Sequence, residues 1–94
     1  SMQPVSEMLL LDGTRFGDNE WLMQTLHAHG IDTRQQFMRT TSEKWQEIFP
    51  TQPVWVRRMQ RIEKRENGFA QYAYLANPYT ITPIGTKLAK ISQN

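Results

Sequence analysis

Cysteine is missing from all 94 residues, and with it go disulfides, thiolate metal sites and cysteine nucleophiles. Its absence fits a reducing compartment. A chain below about 100 residues without such a staple relies on well-capped local elements or on a partner. Long apolar runs are missing too. Met8 to Leu11 is four residues and Tyr72 to Ala76 five, far short of the roughly 18 that a membrane span requires and too short for the apolar stretch of a signal peptide. A soluble chain with no membrane partner is expected. There is no glycine-rich phosphate loop, no G-x-S-x-G elbow and no H-E-x-x-H motif. The two histidines, His27 and His29, stand two apart on an expected helix and so point to opposite sides, unlike the i, i+4 pair that chelates a metal. Asp12, Asp18 and Glu20 could lie close in space, but Asp18 reads as a helix cap and Glu20 as a favourable first-turn charge. No catalytic residue, metal site or cofactor is expected, and the chain reads as a non-enzyme.

What is present is one core's worth of apolar residues, 38% of the chain, and a lopsided charge. Residues 1 to 49 hold four Lys or Arg against seven Asp or Glu, whereas residues 50 to 94 hold seven against two. A modest net charge of +2 therefore conceals a basic second half. Clustered positive charge is an electrostatic footprint for phosphate or for an acidic protein face. Ser1-Met2 reads as a remnant of tag cleavage, and residues 3–94 as a single small domain taken from a longer protein.

Residues 6 to 15 show no convincing period. A first clear helix is predicted from Asp18, its N-cap, to His29, with Gly30 ending it. Asp32 with Gln35 predicts a capped short helix carrying Phe37 and Met38, and Thr40 with Glu43 repeats the pattern ahead of Trp45, Ile48 and Phe49. Pro50 stops that helix and Pro53 opens a fourth, expected over 53–66. On it Trp55, Met59, Ile62 and Glu66 step by four, three and four, which makes a core stripe. At 100° per residue, Lys64, Arg57, Arg61, Arg65 and Arg58 fall roughly 180° to 300° from Trp55, an arc that contains neither Glu63 nor Glu66. Trp21, Trp45 and Trp55 occupy helical core positions. After Asn67-Gly68 the period changes to two. Phe69 to Leu75 then reads as a strand, Asn77-Pro78 as a turn and Tyr79 to Thr82 as the return strand. Ile84, Leu88 and Ile91 predict a last short helix. The expected class is α+β, mainly helical: four helices, a two-stranded wing-like hairpin and a C-terminal helix.

The order helix, turn, basic helix, hairpin and helix over residues 43–91, with Tyr79-Thr80-Ile81-Thr82-Pro83-Ile84-Gly85-Thr86-Lys87-Leu88 close to an aromatic-x-Leu-Thr-x-x-Gly-x-x-Leu phrase, resembles the winged helix-turn-helix of bacterial and phage transcription regulators. The resemblance implies a recognition helix at Pro53 to Glu66 and a wing tip at Leu75-Ala76-Asn77-Pro78. Residues 69 to 86 carry no charge, so such a wing would touch a groove through Tyr72, Tyr74 or Asn77, or serve as a dimer surface. A second resemblance covers Gly30-Ile31-Asp32-Thr33, Phe37, Thr40-Thr41-Ser42-Glu43 and Trp45-Gln46-Glu47-Ile48-Phe49, whose cadence is similar to helix-hairpin-helix and sterile-alpha-motif-like bundles. These serve as protein-interaction modules and as nonspecific DNA binders.

The expected function is non-catalytic binding of double-stranded DNA, as part of a transcription regulator or a mobile-element or phage protein. Arg57, Arg58, Arg61 and Arg65 form the contacting group and Lys64 neutralises a phosphate. Such a domain works in the cytoplasm or nucleoid of a bacterium, or in a nucleus, and a single recognition helix commonly acts in a homodimer. The alternative is a protein-interaction module that docks an acidic partner on the same helix.

Overall fold

The computed structural model describes residues 2–78, and they form five α-helices and one 3₁₀ turn. They are α1 (Val5–Leu11), the 3₁₀ turn Phe16–Asp18, α2 (Glu20–Ala28), α3 (Arg34–Met38), α4 (Ser42–Ile48) and α5 (Pro53–Ala76). The chain divides into two units, Ser1–Glu63 and Lys64–Asn94.

The first unit is built on caps. The Asn19 side chain accepts from the Leu22 amide at 3.0 Å and starts α2. Gly30, at φ 77°, ends that helical segment in the left-handed conformation that glycine tolerates best. Thr33 and Gln36 make a reciprocal capping box on α3, and Thr41 accepts from the Lys44 amide at 3.1 Å to start α4. Each cap lies one residue beyond the one expected. Asp18 instead pairs with Arg15 at 2.8 Å, Asp32 pairs with His27, and the buried Thr40 donates its hydroxyl to the Gln36 carbonyl at 2.9 Å. The region without a period turns out to hold α1. Its Val5, Met8 and Leu9 are buried, and Gly17 lets the following turn approach it closely.

The core of this unit gathers Val5, Met8 and Leu9 with Leu22, Leu26, Ile31 and Phe37, closed by Trp45, Ile48, Phe49, Met59 and Ile62. Phe37 and Trp45 are wholly buried and meet edge to face at 5.0 Å. Burying each such ring contributes about 1.5–3 kcal/mol, and the edge-to-face pairing about 0.5–1.5 kcal/mol more. Trp21 departs from expectation. It is 44% exposed, and Trp55 is only partly buried.

The second unit is described over residues 64–78, and here the expected class is corrected. Among the described residues there is no strand, only an isolated bridge between Pro4 and Thr33. Phe69 to Leu75, expected as the first strand of a wing, is helical as part of α5. The α+β class and its two-stranded wing are therefore not supported. Asn67-Gly68 weakens a helix without stopping it, because Gly68 does not take a positive φ. Ala70, Ala73 and Ala76 among the following residues are the best helix formers and outweigh the strand preference of the neighbouring aromatics. The expected return strand Tyr79–Thr82 and the last helix around Ile84–Ile91 lie outside the described residues. No described helix is long and apolar enough to cross a membrane.

Candidate nucleic-acid interface

The side of α5 that faces inward fixes the side that faces out. After α4 the chain turns through 49–52, where the Gln52 amide donates to the Phe49 carbonyl at 3.4 Å. Pro53 then opens α5, at a position where its missing N–H removes nothing. Met59 and Ile62 are buried. The Trp45 indole N–H donates to Glu63 Oε2 at 3.2 Å, and Gln60 Nε2 donates to Ser42 Oγ at 3.1 Å. These anchors set the rotation of the helix. The opposite arc, carrying Arg57, Arg58 and Arg61, is left exposed.

None of those three arginines is paired with a carboxylate among the described residues, whereas Arg15 pairs with Asp18 and Lys44 with Glu47. Glu63, the nearest acid on the helix, turns to the other side, where its Oε2 accepts from the Trp45 indole. Arg58 has a different attachment. Its guanidinium lies 4.7 Å from the Trp55 ring and 5.9 Å from the Phe16 ring, a cation–π contact that fixes the plane while the N–H edges stay available. Trp55 in turn meets Phe16 at 5.1 Å, Trp21 at 5.8 Å and Phe49 at 6.2 Å.

Of the expected site residues, Arg57, Arg58 and Arg61 come together in the first unit. Lys64 and Arg65 are exposed on α5 in the second. Tyr72 and Tyr74 are also exposed, at 76% and 45%, but on a helix two residues apart they face opposite ways and do not share the strand face expected of them. Asn77 follows the end of α5, its amide donating to the Tyr74 carbonyl at 3.3 Å. It is no wing tip.

Sequence reasoning missed the aromatic cluster beside the arginines. The signal was available: Arg58 stands three residues after Trp55, the spacing at which helical side chains meet. Elsewhere, His29 Nδ1 donates to the Thr25 carbonyl, and among the described residues no group of three His, Asp or Glu could hold a metal ion. No family model, curated protein or solved structure matches this chain.

Proposed function

We propose that this domain binds DNA without catalysing a reaction on it, through the arginine-bearing start of α5. The observation that carries the reading is the exposed set Arg57, Arg58 and Arg61, unpaired with any carboxylate among the described residues and borne on a helix whose other face is locked by Met59, Ile62 and the Trp45–Glu63 bond. The order α4, four-residue turn, α5 also supports it, since a helix-turn-helix presents its second helix to the major groove. Phosphate neutralisation would supply most of the affinity. Base edges reached by one or two arginines would supply specificity.

The test is fluorescence anisotropy on a random-sequence duplex between about 50 and 200 mM salt. Three phosphate contacts give a log–log slope of about −2.7, and replacing Arg57 and Arg61 together with Gln lowers affinity and removes about two contacts from that slope. A slope that the double variant leaves unchanged overturns the reading. The exposed Phe69, Tyr72 and Leu75 of the second unit favour a second reading, a module that docks an acidic protein through α5. That reading expects salt to affect association through screening alone, without a slope set by a count of phosphates.

A further inference from the structure

Trp21 is 44% exposed, yet it is not a stray surface residue. Its ring lies 5.8 Å from Trp55 and 6.1 Å from Phe49, so aromatic neighbours brace it while the residue stays little more than half covered. Trp55 passes the contact on to Arg58 at 4.7 Å. Around α5 the sequence of directions is then Trp55 at 0°, Arg58 at roughly 300°, Arg61 at roughly 240° and Arg57 at roughly 200°. Glu63 and Glu66 fall on the other side of Trp55, at roughly 80° and 20°. The aromatic surface thus adjoins the cationic arc with no acid of α5 between them.

A base pair buried in a duplex has no face to offer Trp21. An unpaired base does, and stacking on an aromatic ring beside a basic groove is how single strands are held without regard to sequence. We propose that the nucleic acid this domain prefers is single-stranded, with one base stacked on the open face of Trp21 and the flanking phosphates on Arg58, Arg61 and Arg57. The inference rests on the DNA-binding reading above and gives its arginines a single strand in place of a duplex groove. Asp18, close in sequence to Trp21, is neutralised by Arg15 at 2.8 Å and does not repel the backbone. Glu20, also close in sequence, opposes it.

The test uses the full chain and an oligothymidylate of about 12 nucleotides, within the range of site sizes seen for single-strand binders, against a duplex of equal length. The oligothymidylate binds about tenfold more tightly than the duplex. Trp21→Ala lowers its affinity by about 5- to 160-fold, the range expected for one lost stack, and leaves duplex binding nearly unchanged. Trp21→Phe keeps a stacking ring but removes the exposed indole, so affinity holds within about threefold while the quenching of tryptophan emission by bound oligothymidylate is lost. That second variant decides the matter if Trp21→Ala unfolds. Equal or tighter duplex binding, or undiminished quenching in Trp21→Phe, overturns the inference and leaves the DNA-binding reading standing. No binding to either nucleic acid overturns both.

Discussion

Gly17 sits where two stretches of backbone nearly touch. A Cβ added there would run into the Ser6 carbonyl oxygen and lie 2.8 Å from Leu10 Cγ, inside contact distance. The carbonyl belongs to α1 and cannot swing aside as a flexible side chain would, so α1 and the 3₁₀ turn must separate. Gly17→Ala is therefore expected to cost about 1–3 kcal/mol, the usual range for overpacking. At about 4–8 °C per kcal/mol for a domain of this size, thermal unfolding followed by circular dichroism should show a fall of at least a few degrees. An unchanged midpoint would mean that α1 does not press on this turn. Arg58 illustrates the same dependence on chemistry at one position: a planar guanidinium can lie over Trp55 and still present its edges, whereas a lysine ammonium has no plane to stack.

At the scale of elements, α5 is the test of what holds a helix together. Gly68 stands within it with nothing in the space that a Cβ would fill and without a positive φ. Gly68→Ala should accordingly stabilise the helix by about 1 kcal/mol, seen as greater helical ellipticity and slower amide exchange over residues 69–76. Faster exchange there would favour a break in the helix at Gly68. Periodicity made α2, α3, α4 and the start of α5 legible in the sequence, because each has an apolar side recurring every three or four residues. Their caps were displaced by one residue, since Asp18, Asn19, Asp32, Thr33, Thr40 and Thr41 offer adjacent residues of equal capping chemistry and only the fold selects among them. The run Met8 to Leu11 hid α1, because four successive apolar residues carry no period. The rest of α5 was misread from Phe69, Tyr72 and Tyr74, whose strand preference is weaker evidence than three alanines in a helix already begun. The exposure of Arg57, Arg58 and Arg61 was legible from the wheel. The exposure of Trp21 was not, because a helical pattern shows which side is apolar and not how much apolar partner is there to cover it.

For the molecule as a whole, charge and stability belong to different parts of the chain. The first unit is held by an apolar core, and its ion pairs lie outside that core: the side chains of Arg15 and Asp18 are 76% and 56% exposed, and those of Lys44 and Glu47 are 39% and 67% exposed. Such pairs contribute about 0–1 kcal/mol each and are screened by salt. The second half of the sequence is the basic one, with seven cations against two acids over residues 50 to 94. Salt should therefore separate the two properties. Between about 50 and 200 mM, affinity for duplex DNA should fall by about 40-fold if three phosphates are contacted, while the thermal midpoint of the unbound protein moves by no more than a few degrees. Parallel loss of affinity and midpoint would trace the weakened binding to unfolding, and the arginine face of α5 would then no longer be needed to explain it. Loss of affinity at constant midpoint places the salt dependence on the bound counterions, where a phosphate contact requires it to be.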